Sequence, residues 1–165
     1  MKRPLIALAA AVLAWSCAGP APEPQSAPET GAFRLTPAKF DPDADPNADL
    51  AAAITRARAS NRRIILDVGG EWCSWCHTLD NFIDAHTDLG TAIARDFVWV
   101  KINFSDENEN RSFLSKYPRI TGYPHLYVLS KDGDLLHSQN TAELELGKSY
   151  DLAKMEKFFA TWAKK

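Results

Sequence analysis

At 165 residues, the chain is long enough to bury one hydrophobic core and too short for two comfortable domains. Hydrophobic residues make up 45% and charged residues 24%, a composition typical of globular proteins that excludes a wholly disordered chain. The formal net charge is −2, and Lys and Arg are scattered along the chain, which excludes the concentrated positive charge of a nucleic-acid-binding protein.

The first residues have the pattern of an export signal. Lys2 and Arg3 precede an apolar run that extends to Trp15, and this run is shorter than the roughly 20 residues that a spanning helix needs. We therefore predict that residues 1–16 are a signal peptide, with a short membrane anchor as the alternative.

The segment Ala-Trp-Ser-Cys at positions 14–17 resembles the lipobox of bacterial lipoproteins, in which the cysteine after the cleavage site carries lipid. The resemblance implies lipidation of Cys17, and Ala18 after it implies the periplasmic face of the outer membrane. An ordinary cleaved signal, which would leave a soluble periplasmic protein, is the alternative. If Cys17 is acylated, Cys73 and Cys76 remain as a self-contained pair.

Residues 17–47 are predicted to form a tether. The segment 18–31 is rich in Pro and Ala, and Asp alternates with Pro through residues 40–47. Such compositions are typical of extended linkers. No apolar periodicity appears before Leu50, so we predict that the folded domain spans residues 48–165.

The predicted domain begins with a helix over residues 49–60, whose apolar residues share one face. A β-branched run over residues 63–68 then predicts a buried strand that ends at Gly69 and Gly70. Apolar residues at helical spacing from Cys73 onward place the cysteine pair at the start of the next helix. The later predicted elements are a short helix near 87–95, a strand over 97–104, a helix over 106–117, strands over 125–130 and 134–138, and a final helix over 149–163. This order predicts an α/β protein with a mixed central sheet and helices on both faces.

The motif Cys73-Ser-Trp-Cys76 is compatible with metal binding, a structural disulfide or redox chemistry. The first turn of a helix has unpaired N–H groups and the positive end of the helix dipole, and both stabilise a thiolate at Cys73. Cys73 is therefore the predicted nucleophile. Zinc is disfavoured because a structural site needs four ligands, there is no second such motif, and His77 and His86 do not complete a recognised spacing.

Residues 64–76 resemble the first core strand and active-site turn of the thioredoxin family, and the resemblance extends over roughly residues 49–165. It implies a thioredoxin fold and thiol-disulfide oxidoreductase activity. It also implies no cofactor beyond the redox-active disulfide of Cys73 and Cys76. In this chemistry Cys73 attacks a substrate disulfide, and Cys76 resolves the mixed disulfide that results.

Within this resemblance, Asp67 matches the strand aspartate that moves a proton to and from the second cysteine. Lys101 matches the lysine that pairs with this aspartate, and Pro124 matches the cis-proline beside the active site. The backbone of Tyr123, which precedes it, would dock an extended substrate. A carboxylate in an apolar strand should also have a raised pKa, which suits a proton acceptor. The alternatives are a turn-capping Asp67, a surface Lys101 and an ordinary trans Pro124.

Trp72 and Trp75 flank Cys73 and are predicted to form an apolar surface for the substrate, with a packing role as the alternative. Ser74 and Trp75 stand where ordinary thioredoxin has Gly-Pro, so the direction of electron flow is open. The pair of Asp67 and Lys101 favours a reductant.

The predicted function is thiol-disulfide exchange on disulfide-containing envelope proteins. A membrane electron donor would have to regenerate the reduced protein, because the bacterial envelope is oxidising. The alternative is a thioredoxin-fold binding module that acts as a chaperone or assembly partner.

Overall fold

The computed structural model describes residues 39–164. The predicted signal peptide, Cys17 and the predicted tether up to residue 38 lie outside the described residues. Within residues 39–164, no helix combines the length and the apolar character needed to cross a bilayer.

The predicted helices and strands occur in the predicted order, and a 3-10 turn and two short strands, which were not predicted, precede the final helix. The elements are α1 (Pro46–Ser60), β1 (Arg63–Gly69), α2 (Ser74–Ala85), α3 (Thr87–Asp96), β2 (Phe97–Asn103), α4 (Arg111–Leu114), β3 (His125–Leu129), β4 (Leu135–Asn140), a 3-10 turn (Thr141–Leu144), β5 (Glu145–Leu146), β6 (Ser149–Tyr150) and α5 (Leu152–Thr161).

The central sheet is mixed, as predicted. Its strand order is β2-β1-β3-β4. Strand β1 runs parallel to β2 and antiparallel to β3, and β4 is antiparallel to β3. Helices α2 and α3 form the crossover that a parallel β1–β2 pair requires. Strands β5 and β6 form a separate antiparallel pair.

Helices cover both faces of this sheet. Side chains of a strand alternate between faces, so Ile64 and Leu66 of β1 pack with α1 and α4, whereas Ile65 packs with α2, α3 and α5. Asp67 lies on the face of Ile65, two residues further along β1. By the same alternation Lys101 lies on the face of Trp99. The sheet therefore directs both charged side chains toward α2.

The structure differs from the predicted tether at its C-terminal end. Residues 39–45, which we call the strap, belong to the folded domain: the Phe40 side chain is 3% exposed, and the carbonyl of Pro42 accepts a hydrogen bond of 2.8 Å from Asn108 Nδ2. The Asp-Pro pair that suggested a linker begins α1. Asp45 is the N-cap and accepts the N–H of Asn47 at 2.9 Å, and Pro46 occupies the first helical position, where proline is favoured.

The predicted helix over residues 106–117 is reduced to the single turn of α4. Asparagine side chains hold the preceding loop: Asn103 Nδ2 donates to the carbonyl of Asn108, and Asn110 Nδ2 donates to the carbonyl of Asn103, each at 2.8 Å. Asn110 is left-handed, with φ 47°. These local bonds offer the backbone an alternative to the helical ladder, which periodicity does not reveal.

The final helix begins later than predicted. Ser149 and Tyr150 pair with β5 as strand β6. Asp151 is the N-cap of α5, where its side chain accepts the N–H of Lys154 at 3.1 Å.

Candidate active site

Cys73 is the N-cap residue of α2, with φ −89° and ψ 102°. Its Sγ accepts the backbone N–H of Cys76 at 3.1 Å. The two cysteines form a disulfide with their Cα atoms 5.2 Å apart, and they are only 3% and 1% exposed. The sulfur of Cys73 therefore sits where a helix N-terminus stabilises negative charge.

Gly69, the last residue of β1, lies directly under Cys76. A Cβ at this position would overlap Cys76 Sγ and would come within 3.1 Å of Phe40 Cζ. The absence of a side chain at Gly69 therefore lets the buried sulfur pack against the strand backbone. Asp67 is two residues earlier on β1, on the same face of the sheet.

Asp67 is fully buried and is paired across the β1–β2 ladder with Lys101. Its Oδ2 lies 3.2 Å from Lys101 Nζ and accepts the Trp99 indole N–H at 3.3 Å. Its Oδ1 has no hydrogen-bond partner among residues 39–164. Burial raises the pKa of Asp67, and the nearby ammonium of Lys101 opposes that rise only in part. The structure thus places a carboxyl of raised pKa beside the cysteine-bearing helix.

Asp80 is a second carboxylate of this site, which the sequence prediction missed. Both of its oxygens accept from Lys101 Nζ at 2.8 Å. Burial raises the pKa of Asp80 against the pull of Lys101. Burial alone would lower the pKa of Lys101, but Asp67 and Asp80 outweigh it and the pKa is raised. The signal was present, because Asp80 follows Cys76 by four residues, the spacing of neighbours on one helical face.

The group formed by Asp67, Asp80 and Lys101, which we call the charge cluster, carries two acidic groups and one basic group. When all three are ionised its net charge is negative. Burial disfavours that state, so protonation of Asp67 is the change that neutralises the cluster.

An aromatic rim stands beside the disulfide. Trp72 is 57% exposed, and its ring meets Tyr123 edge-on with centroids 5.5 Å apart. Tyr123 in turn stacks on Phe104 at 4.9 Å, and Trp72 Nε1 donates to the Phe104 carbonyl at 2.7 Å. The Tyr123–Pro124 peptide bond is cis. Tyr123 and Trp72 therefore define one exposed surface next to the cysteines.

Two clefts open from this rim. One of about 490 Å³ lies between Trp72, Phe104 and residues 105–107. The other, of about 610 Å³, continues from Tyr123 toward Tyr117. They provide room for an extended chain on either side of the rim.

Trp75 lies apart from this rim. Its ring is half-buried and meets Tyr150 edge-on with centroids 5.6 Å apart. Trp75 also packs against the apolar cluster of Phe40, Cys73 and Cys76, whereas Trp72 is the more exposed tryptophan of the motif. Contact of either tryptophan with a substrate stays a prediction.

Among residues 39–164, no three or more His, Cys, Asp or Glu side chains are grouped so that they could hold a metal ion.

The mixed sheet, the disulfide at the start of α2 and the cis-proline opposite it define a protein of the thioredoxin class. A family model described as thioredoxin-like matches residues 45–131, more than half of the chain. The chain therefore belongs to the thioredoxin-like family.

Solved structures share this fold. A disulphide isomerase from Xylella fastidiosa Temecula1 superposes with a TM-score of 0.64 at 24% identity, over 74% of this chain and 94% of that one. A structure described as DsbH oxidoreductase gives 0.55 at 17% identity, over 86% and 94%. The oxidised C-terminal domain of DsbD from Neisseria meningitidis gives 0.51 at 22% identity, over 75% and 96%.

Among curated proteins, human spermatogenesis-associated protein 20 is 35% identical over 51 residues. This match spans 31% of the present chain and 6% of the human protein. The similarity is thus confined to a small part of that relative.

Proposed function

We propose that this protein is a thiol-disulfide oxidoreductase that reduces protein disulfides in the bacterial envelope. The observation that carries the proposal is the position of the Cys73–Cys76 pair. It lies at the start of α2, beside the cis Tyr123–Pro124 bond, with Asp67 on the strand below.

The first step begins from the reduced protein. The Cys73 thiolate, held by the N-terminal N–H groups of α2, attacks one sulfur of the substrate disulfide. A bond forms between Cys73 Sγ and that sulfur, and the second substrate sulfur leaves as a thiolate. The substrate segment lies over Trp72 and against the backbone of Tyr123.

The second step releases the substrate. The Cys76 thiol gives its proton to the Asp67 carboxylate and attacks Cys73 Sγ. The Cys73–Cys76 disulfide forms, the bond from Cys73 to the substrate breaks, and the electron pair leaves with the substrate sulfur. The protein is oxidised by two electrons and the substrate disulfide is reduced.

The charge cluster supports the reducing direction. When Asp67 is ionised, the cluster carries a net negative charge, which disfavours a thiolate at the cysteine pair and raises the free energy of the reduced protein. A strong oxidant has the opposite property, because its reduced form is stabilised. The cluster of Asp67, Asp80 and Lys101 therefore favours donation of electrons to a substrate.

The location is proposed from the N-terminal sequence. A lipid on Cys17 would hold the protein at the periplasmic face of the outer membrane, and a membrane electron donor would re-reduce the Cys73–Cys76 disulfide. The mature mass tests this proposal: wild type should carry acyl groups that Cys17→Ser lacks. An unmodified Cys17 in the mature protein would leave the soluble periplasmic alternative.

A disulfide-reduction assay tests the activity. Wild type should reduce a protein disulfide, Cys73→Ser should fall to background, and Cys76→Ser should accumulate the mixed disulfide because Cys76 is needed to resolve it. We expect a reduction potential near the −270 mV of thioredoxin and far from the about −120 mV of a strong oxidant. Equal rates for wild type and Cys73→Ser, or no rate from either, would contradict the proposal and favour a binding module.

A further inference from the structure

The strap brings an aromatic side chain against the catalytic pair. Phe40 forms a small apolar cluster with Cys73 and Cys76, and its ring lies close to Gly69, over which Cys76 packs. The family match begins at residue 45, so Phe40 precedes the matched residues.

The same ring covers the ammonium of the charge cluster. Lys101 Nζ lies 4.1 Å from the centre of the Phe40 ring, within the range of a cation–π interaction. Two sides of this ammonium are occupied by Asp67 and Asp80. The Phe40 ring occupies a third side, and the Lys101 side chain is only 1% exposed.

The strap is held in place by polar contacts of its backbone. The N–H of Phe40 donates to Glu71 Oε1 at 2.9 Å, and the carbonyl of Pro42 accepts from Asn108 Nδ2 at 2.8 Å. Glu71 belongs to the turn that leads into Cys73. The position of Phe40 is therefore tied to the active-site turn.

We propose that Phe40 is a positioning residue for the resolving step: its ring seals Cys76 and Lys101 from water, so that Asp67 accepts the proton of Cys76 in a dry and fixed environment. The argument rests on the proposed function, because it concerns proton transfer between Cys76 and Asp67. Exclusion of water strengthens the electrostatic interactions within the cluster. It also disfavours the ionised carboxylate, which makes Asp67 a stronger base once it is ionised.

Other titratable groups around Asp67 must be considered in any pH dependence. Burial raises the pKa of Tyr150, and the charges of Asp67 and Asp80 add to that rise, so this phenol stays neutral through the pH range of the reaction. The charged and titratable groups that act on Asp67 are Lys101 from β2, Asp80 from α2 and Tyr150 from β6, with exposed His77 acting on Asp80. Cys76 packs over Gly69, two residues further along β1.

The first measurement is the pKa of the Asp67 carboxyl in the oxidised protein, followed by carbon NMR. Phe40→Ala should admit water and shift this pKa downward, and Phe40→Leu, which keeps apolar cover without the ring face, should give a smaller shift. Phe113 supplies the matched control, because it is 2% exposed and packs on the opposite face of the sheet. Phe113→Ala and Phe113→Leu should reduce stability without moving the pKa of Asp67.

The second measurement is resolution itself, in a Cys17→Ser background where only the catalytic cysteines remain. Cys73 is converted to its mixed disulfide with thionitrobenzoate, and release of that chromophore by Cys76 is followed against pH. We expect Phe40→Ala to slow release about tenfold, less than the roughly 10²–10⁴-fold that a general base contributes in full because Asp67 itself is retained, and to move the midpoint of the profile to lower pH. Phe40→Leu should show the same changes to a smaller extent.

The outcomes separate the two proposals. An unchanged Asp67 pKa in Phe40→Ala, or equal changes in the Phe113 variants, would overturn the role of Phe40. Wild-type protein that releases no chromophore and reduces no disulfide would instead overturn the proposed function.

Discussion

At the scale of single residues, the chemistry depends on one buried carboxyl. Asp67 accepts two long hydrogen bonds, of 3.2 Å from Lys101 and 3.3 Å from Trp99, and these do not offset its complete burial. A carboxyl whose pKa is raised by folding is a cost to stability when it is ionised. Burial of ionised Asp67 therefore lowers the free energy of unfolding, and the same burial provides a proton acceptor near the cysteines.

Asp67→Asn should stabilise the oxidised protein at neutral pH. Below the ordinary carboxyl pKa both the folded and unfolded states hold the proton, so there is no effect. As pH rises above that value, the unfolded state ionises first and folding becomes less favourable, until the pH passes the raised pKa of folded Asp67. We expect a gain on the order of 1 kcal/mol at neutral pH, because Lys101 keeps Asp80 as its partner and is not left unpaired.

Urea unfolding of the oxidised protein from pH 4 to pH 8 measures this gain, which should shrink toward the acid end. Asp84→Asn, at an exposed position of the same helix as Asp80, is the control and should be neutral. A pH-independent gain, or a loss of stability at neutral pH, would contradict the burial argument. In Asp67→Asn, release of the substrate by Cys76 should also be slower than in wild type.

At the scale of elements, the site depends on how β1 ends under α2. The strand delivers Asp67 to the face that α2 covers, and its last residue leaves room for Cys76 Sγ. Cys73 caps the start of this helix, which carries Asp80 one turn beyond Cys76. The end of β1 and the start of α2 thus place the sulfurs of the cysteine pair and the carboxyl groups of Asp67 and Asp80 along the contact between these two elements.

Gly69→Ala should destabilise the oxidised protein by about 1–3 kcal/mol, the usual cost of overpacking. The added Cβ would overlap Cys76 Sγ, so the helix start or the strand must shift. Unfolding of the oxidised protein measures the loss. Gly122→Ala is the control, because the nearest atom to its added Cβ would be Asn140 Oδ1 at 3.8 Å.

A double-variant cycle identifies the cause. The cycle is measured with all proteins reduced, because Cys76→Ala cannot form the disulfide. If the sulfur is the obstacle, Gly69→Ala should cost much less in the Cys76→Ala background than in the wild-type background. An equal loss of stability from Gly69→Ala with and without Cys76 would show that the added Cβ is obstructed by an atom other than Cys76 Sγ.

At the scale of the whole molecule, the folded domain includes the strap. Burial of Phe40 and the bond from Asn108 to Pro42 join residues 39–45 to parts of the chain far away in sequence. The boundary of the stable unit therefore lies before residue 40.

A chain that starts at residue 39 should be more stable than one that starts at residue 44, which loses Phe40 but keeps the Asp45 cap of α1. Burial of one phenylalanine is worth about 1.5–3 kcal/mol, and we expect a difference of that size in urea unfolding. Phe40→Ala in the longer chain should remove most of the difference. Equal stabilities of the two chains would show that the strap does not contribute to folding.

Local sequence patterns determine several features of the protein. Strand β1 is a continuous apolar run, and α2 has its apolar residues at helical spacing after Cys73. Both signals are local, so the order of elements and the place of the cysteine pair were predictable. The resemblance to thioredoxins further directed attention to Asp67, Lys101 and Pro124, which the structure brings to the same region.

Only the tertiary structure decided which distant groups complete the site. Phe40 is a single aromatic in a polar stretch and carries no periodic signal, yet it is buried against Cys76. Asp80 is one of two acidic residues on α2, with Asp84, and only its contact with Lys101 of β2 distinguishes it. Local patterns specify helices and strands because their periods repeat between near neighbours, whereas a contact between remote residues exists only once the elements have packed.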